Sequence, residues 1–117
     1  MTERARRWTV RLTAAAASDF EQIIEWTVEH FGEPQALVYA ETLSLAIEAL
    51  TEGPLVAGAR QRDEILKGLR SLHVARQGRN GRHFVIFRTA ASGDVVEVLR
   101  LLHDSMDLPR HLGHEPT

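Results

Sequence analysis

The chain has 117 residues, of which 44% are hydrophobic, 26% charged and 6% aromatic. This composition predicts a single small globular domain over residues 1–117 and excludes collagen-like, low-complexity and strongly disordered classes. The chain contains no cysteine, which excludes disulfides, thiol catalysis and cysteine-ligated metals. No apolar run approaches the roughly 18 residues that span a membrane. Residues 1–10 lack the apolar stretch of a secretory signal, so we expect a cytoplasmic protein.

The net charge of −2 conceals two halves of opposite sign. Residues 13–59 hold eight acidic residues and no Lys or Arg, whereas residues 60–100 hold eight Arg and Lys67 against four acidic residues. Such asymmetry predicts two surfaces of opposite charge. The small net charge disfavours a protein that holds nucleic acid through charge alone.

The first half of the chain predicts a strand followed by two helices. Residues 8–12 alternate apolar and polar side chains, as a half-buried strand does. Thr13 is a candidate N-cap for a helix over residues 14–31, and Gly32 is a candidate C-cap. Pro34 suits the first turn of a second helix that runs to about residue 52. The apolar faces of these two helices are predicted to consist of Phe20, Ile23, Ile24, Val28 and Phe31, and of Ala36, Ala40, Leu43, Ile47 and Leu50.

The second half of the chain predicts strands. Residues 54–68 form a loop, and residues 69–77, 82–89 and 95–102 have the composition of strands. Asn80-Gly81 favours the positive φ angles of a tight hairpin between the first two of these strands. The order β-α-α-β-β-β predicts an α+β fold, with a helical hairpin packed on one face of a mainly antiparallel four-stranded sheet. Residues 103–117 form a polar C-terminal tail.

Several short segments, in this order and at this spacing, resemble the ParE branch of the RelE/ParE toxin superfamily. The resemblance covers nearly the whole chain. The matching segments are Leu12-Thr13, Asp19-Phe20, residues 23–26, Phe31-Gly32, Gln35-Ala36, Tyr39, residues 68–71, residues 83–88, residues 95–103 and the closing residues 107–112.

The resemblance implies a toxin of a type II toxin–antitoxin pair with the fold described above. It implies that the toxin binds DNA gyrase stoichiometrically rather than acting as an enzyme. It also implies a hetero-oligomer with a cognate ParD-like antitoxin, expected to be a ribbon–helix–helix protein, and contact with DNA only through that antitoxin. We expect no cofactor and no membrane association.

Arginines on the predicted strands and polar residues of the tail are the candidate contacts with the target. Arg side chains suit phosphate or an acidic protein surface, and the resemblance makes the C-terminal region the contact with gyrase. An equally weighted alternative is that these arginines form a solvated face or pair with the acidic helices. The candidate target-binding residues are Arg70, Arg88, Arg100, His103, Asp107, Arg110 and His111.

Two alternative functions remain open. The RelE branch of the superfamily resembles ribosome-dependent mRNA endoribonucleases, and a nuclease site here would consist of His83, Arg88, Arg76 and His103. The sequence departs from that branch because its single tyrosine, Tyr39, lies on the second helix and its single lysine, Lys67, in the loop. The third reading is an inactive homologue that acts only as a binding partner.

Two tryptophans, Trp8 and Trp26, are candidate anchors for the antitoxin, since aromatic side chains often anchor interfaces. The alternative reading places both in the core. The histidines show no ligand spacing that predicts a metal site.

Overall fold

The computed structural model describes residues 7–91 and 93–110. The helices are α1 (Ala14–Phe31) and α2 (Glu33–Ala49), and a short 3₁₀ helix (Leu50–Glu52) extends α2. The strands are β1 (Thr9–Leu12), β2 (Arg60–Gln61), β3 (Arg70–His73), β4 (His83–Thr89) and β5 (Val95–His103). The predicted order of a strand, two helices and three further strands is confirmed, and β2 is additional.

The sheet has five strands, in the order β1-β5-β4-β3-β2, so the prediction of four strands is wrong. β1 pairs parallel with β5, and the other neighbours pair antiparallel. The missed strand, β2, lies within the predicted loop and has two residues. Alternation is recognisable only over about four residues or more. β2 is therefore defined by its backbone pairing with β3 and not by its sequence.

The predicted helix ends are confirmed. The Thr13 hydroxyl accepts a hydrogen bond from the Ala16 N–H at 3.1 Å, which satisfies one of the free donors of the first turn. Gly32 ends α1 with a φ of 91° and directly precedes α2. This conformation is accessible to glycine without steric cost, so the chain reverses within one residue.

The connection between β3 and β4 is not the predicted Asn-Gly hairpin. Positive φ angles occur at Gln77 and Gly78 (52° and 81°) and not at Asn80 or Gly81. Gly81 is required for a different reason, because a Cβ atom there would collide with the side chain of Val74. The predicted role of Gly81 in a tight turn is therefore wrong, and its actual constraint is close packing.

The main core lies between the helices and one face of the sheet. The predicted face of α2 is confirmed by the burial of Ala36, Leu43 and Leu50, with Ala40 and Ile47 partly buried. The side chains that complete the core from the sheet are Leu72, Val74, Val85, Phe87, Val96, Val98 and Leu101.

The predicted apolar face of α1 is correct only in its first half. Phe20, Ile23 and Ile24 pack against the core, but Val28 is 37% exposed and Phe31 64% exposed. The last turns of α1 face an open groove instead of the sheet, and Thr27 is the buried residue there.

A second, smaller core covers the opposite face of the sheet. Leu108 is buried against Leu69, Ile86 and Leu102, with residues of the loop before β3 completing the cluster. The C-terminal segment, defined here as residues 104–110, is thereby fixed to the sheet by an apolar contact. The helices cover one face, and this segment with the loop covers part of the other.

One carboxylate joins α1 to β5. Asp19 accepts hydrogen bonds from Arg100 Nε at 2.7 Å, from Arg100 Nη2 at 3.0 Å and from the Leu101 N–H at 2.9 Å. Such a bidentate pair is among the stronger hydrogen-bonded contacts in proteins. It fixes the distance between the helix and the central part of the sheet.

We predict that Asp19→Asn lowers the free energy of unfolding by about 2 kcal/mol, because the amide leaves a partly buried guanidinium without its counterion. Urea denaturation of the purified variant measures this loss. The matched control is Glu25→Gln on the exposed side of the same helix, which is expected to change stability by less than about 0.5 kcal/mol. Equal effects of the two substitutions would contradict the assignment.

Candidate functional site

A groove of about 800 Å³ lies between the helical hairpin and the ends of β4 and β5. Its apolar wall includes Trp26 and Phe31 from α1 and Met106 from the C-terminal segment, and all three are exposed. Its polar end includes Tyr39, His83 and His103, which come from α2, β4 and β5. We refer to this cavity as the groove.

Tyr39 and His83 form the shortest side-chain contact at the polar end. The Tyr39 hydroxyl lies 2.6 Å from His83 Nδ1, and its oxygen accepts a hydrogen bond from the Arg82 N–H at 3.0 Å. The hydroxyl proton needs an acceptor, and among the described contacts of the hydroxyl His83 Nδ1 is the one atom that can accept it, so we assign this proton to a bond with Nδ1. The ring proton of neutral His83 is then on Nε2.

His103 carries its ring proton on the same atom. Its Nδ1 accepts a hydrogen bond from the Ser105 N–H at 3.1 Å and lies 2.7 Å from the Ser105 hydroxyl. A ring nitrogen that accepts from a backbone N–H has no proton of its own. His83 and His103 are directly opposite in the β4–β5 register, with ring centroids 5.1 Å apart.

Burial changes the titration of this end of the groove. It lowers the pKa of His83 to about 4, with the neighbouring His103 adding to the effect. Burial also raises the pKa of Tyr39 above its ordinary value. At neutral pH both groups are therefore uncharged hydrogen-bonding partners.

A second polar cluster adjoins the polar end of the groove, since Arg82 lines the groove and Asp104 Oδ1 lies 3.7 Å from His103 Nδ1. Asp104 accepts hydrogen bonds from His73 Nε2 at 2.9 Å and from Arg82 Nε at 3.1 Å. The hydrogen bonds from Arg82 and His73 hold the pKa of Asp104 at about 2. This cluster attaches the start of the C-terminal segment to β3 and β4.

The sheet arginines proposed as target contacts are hydrogen-bonded within the fold. Arg70 donates to the Pro54 carbonyl at 2.8 Å, Arg88 to Glu97 at 3.4 Å and Arg100 to Asp19. These contacts favour the reading in which such arginines pair internally, although Arg88 remains half exposed.

The tail residues proposed as target contacts are only partly described. His103 ends β5 at the polar end of the groove, and Asp107 and Arg110 are exposed on the C-terminal segment. His111 lies outside the described residues. The burial of Leu108 shows that this segment is packed at one residue while its charged residues remain on the surface.

The two proposed antitoxin anchors have different environments. Trp26 is 53% exposed and stacks on His30 beside the groove, with ring centroids 4.0 Å apart. Trp8 is partly buried against the main core, at the opposite end of the helical hairpin, beside Gly53. Of the two tryptophans, Trp26 is therefore the one that is accessible to a partner.

The residues proposed for a nuclease do not form one cluster. His83 and His103 are adjacent, but Arg88 pairs with Glu97 on the other face of the sheet. Arg76 donates to the Ala57 carbonyl at 3.3 Å in a surface loop. The residue that contacts His83 is instead Tyr39, which was predicted to lie on the second helix and was not among the proposed nuclease residues. No sequence signal links the two, since 44 positions separate them.

Within residues 7–91 and 93–110, no group of three His, Asp or Glu side chains is placed to hold a metal ion. No described helix is long and apolar enough to cross a membrane.

Comparison with known proteins identifies the family to which the chain belongs. The profile of the ParE toxin of the type II toxin–antitoxin system parDE matches residues 10–108. The chain therefore belongs to the ParE toxin family.

Relatives and solved structures agree with this assignment. The chain is 35% identical to Toxin ParE1 of Caulobacter vibrioides over 88% of this chain and 96% of that protein. It is 33% identical to Toxin ParE1 of Mycobacterium tuberculosis over 86% of this chain and 94% of that protein.

The fold is shared with a chain of the chromosomal ParDE system from P. aeruginosa, with a TM-score of 0.67 and 19% identity. The match covers 84% of this chain and 97% of that chain. The fold is also shared with a chain of the RelBE2 toxin–antitoxin complex from Mycobacterium tuberculosis, with a TM-score of 0.56 and 24% identity. This match covers 83% of this chain and 98% of that chain.

We predict that Tyr39→Phe releases the fixed tautomer of His83, because the hydroxyl that donates to Nδ1 is removed. Long-range ¹H–¹⁵N spectra near neutral pH measure this directly. The native protein should show an unprotonated Nδ1 and a protonated Nε2, and the variant a mixture. Identical spectra would show that Tyr39 does not set the tautomer.

We predict that His83 makes stability depend on pH between its ordinary pKa of 6.5 and its folded pKa of about 4. The unfolded chain binds the proton more tightly, so the free energy of unfolding falls as the pH decreases through this range. Urea denaturation at a series of pH values should show a shallower decrease for His83→Gln. Parallel curves for the two proteins would contradict the burial of a neutral imidazole.

Proposed function

We propose that this ParE-family toxin arrests growth by binding DNA gyrase without itself catalysing a reaction. The observation that carries this proposal is the internal pairing of the sheet arginines, above all Arg100 with Asp19. RNA cleavage requires cations that are available to the charge developing on the phosphate. Paired arginines instead leave a surface with charges of both signs, which suits recognition of a protein.

The C-terminal segment is the proposed contact with gyrase. Asp107 and Arg110 are exposed, and the segment is held in place by Leu108 and Asp104. A surface that is already ordered loses little conformational entropy on binding. The further proposed contacts with gyrase are Arg70, Arg88, Arg100, His103 and His111. A toxin that acts on gyrase works in the cytoplasm.

The proposed partner that silences the toxin is a ParD-like antitoxin, expected to be a ribbon–helix–helix protein that links the complex to DNA. The groove offers the exposed aromatic side chains Trp26 and Phe31, of the kind that dominate binding energy at interfaces. We propose that the antitoxin covers them. The groove and the C-terminal segment meet at Met106, so an occupant of the groove would also obstruct the gyrase contact.

A supercoiling assay with purified gyrase tests the target. The toxin should inhibit supercoiling, and Arg110→Glu should raise the concentration for half inhibition about tenfold, because it reverses a charge at the proposed contact. The matched control is Arg60→Glu on the exposed edge strand β2, which makes the same charge change and should inhibit as the native protein does. Unchanged supercoiling at saturating native toxin would contradict the proposal.

The second candidate function is ribosome-dependent cleavage of mRNA, which the adjacent imidazoles of His83 and His103 favour. Primer extension on programmed ribosomes would then reveal cleavage that is lost in His83→Ala and in His103→Ala. Absence of cleavage by the native toxin would exclude this function.

A further inference from the structure

Two of the acidic or hydroxyl side chains at the polar end of the groove are engaged within the fold. Both oxygens of Asp19 are engaged by Arg100 and the Leu101 N–H. The Tyr39 oxygen already accepts from the Arg82 N–H and its proton is given to His83. The carboxylate of Asp19 and the hydroxyl of Tyr39 are therefore satisfied before a ligand binds.

Among the described residues, the Nε2–H groups of His83 and His103 have no hydrogen-bond partner at this end of the groove. Each ring uses its Nδ1 inside the fold, for Tyr39 in one and for Ser105 in the other. Among the described residues, no buried side-chain nitrogen or oxygen lacks a hydrogen-bond partner. The two unpartnered Nε2 atoms are therefore accessible from the groove.

The two guanidinium groups that line the groove already have counterions within the fold, since Arg100 is paired with Asp19 and Arg82 with Asp104. The imidazole N–H groups, rather than these arginines, are therefore the donors offered to a ligand at this end of the groove. The opposite wall is apolar, with Trp26 and Phe31 exposed. A ligand that matches both walls has apolar side chains next to a single carboxylate, as an amphipathic protein segment does.

We propose that the groove receives an apolar segment of the antitoxin that carries an Asp or Glu side chain, and that this carboxylate is bound by the Nε2–H groups of His83 and His103. The inference rests on the proposed function, which places the antitoxin in the groove. It adds the chemistry of the segment and two specificity-determining residues. Tyr39 acts as a positioning residue, because it fixes the tautomer that presents the donor.

A dependence of binding on pH follows from this arrangement. A carboxylate next to the imidazole of His83 favours its charged form and raises its pKa. Because His83 is neutral in the free toxin, binding takes up protons, and affinity increases as the pH falls toward the pKa that His83 has in the complex. The titratable and charged groups around His83 are Asp19 of α1, Tyr39 of α2, His73 of β3, Arg82 before β4, Arg100 and His103 of β5, and Asp104.

Titration calorimetry with the full-length toxin and the purified full-length cognate antitoxin tests the inference. Measured near pH 6 in buffers of different ionisation enthalpy, the native pair should take up protons on binding. His83→Gln and His103→Gln should each weaken binding about tenfold, the loss expected for one hydrogen bond to a charged group. His83→Gln should also reduce the proton uptake, which a purely structural role of this imidazole would not do.

The control is Arg60→Gln, which removes a charge from the exposed edge strand β2, away from the groove, and should preserve both affinity and proton uptake. Circular dichroism and thermal melts establish that each variant is folded. If Trp26→Ala weakens binding but the two groove histidine variants bind normally with unchanged proton uptake, the carboxylate contact is overturned and the antitoxin site is retained. If Trp26→Ala also binds normally, the antitoxin does not occupy the groove and both proposals are overturned.

Discussion

The Asp19 carboxylate is the contact on which both proposed binding regions depend. It holds α1 to β5 through Arg100 and the Leu101 N–H. One wall of the groove belongs to α1 and the facing wall to the end of β5, so their separation is set by this contact. The C-terminal segment continues directly from β5 and takes its position from the same strand. A change at Asp19 would therefore alter the shape of the groove and the placement of the segment together.

Ion pairs within the fold partly neutralise the charge asymmetry of the sequence. The acidic hairpin and the basic strands are joined by Asp19–Arg100 and Glu41–Arg79, at 2.7 and 3.1 Å. Exposed pairs of this kind contribute little stability individually, and the partly buried Asp19 pair contributes more. The two surfaces of opposite sign expected from the sequence are thus partly joined to each other, and the exposed stripe of Glu21 and Glu25 remains.

Local signals predicted most of the fold, and long-range contacts account for what was missed. The Thr13 cap and the Gly32 reversal depend on their own turns, so the sequence was sufficient to recognise them. β2 is defined by its backbone pairing with β3, because a strand of two residues is too short to show an alternation of apolar and polar side chains. The site was less predictable, because Tyr39 and His83 are brought together by packing of α2 on the sheet. The tail, predicted only as a polar segment, has Leu108 buried and Arg110 exposed, because Leu108 packs against residues distant in the sequence.

The groove and the C-terminal segment share Met106, so an antitoxin bound in the groove would also exclude the target. Hydrogen exchange measured by mass spectrometry, on the toxin alone and in complex with its antitoxin, tests this claim most directly. The account predicts slowed exchange in the second half of α1 and in residues 101–106, together with loss of gyrase binding by the complex. Slowed exchange confined to β1 and the 3₁₀ helix beside Trp8, with gyrase binding retained, would contradict it.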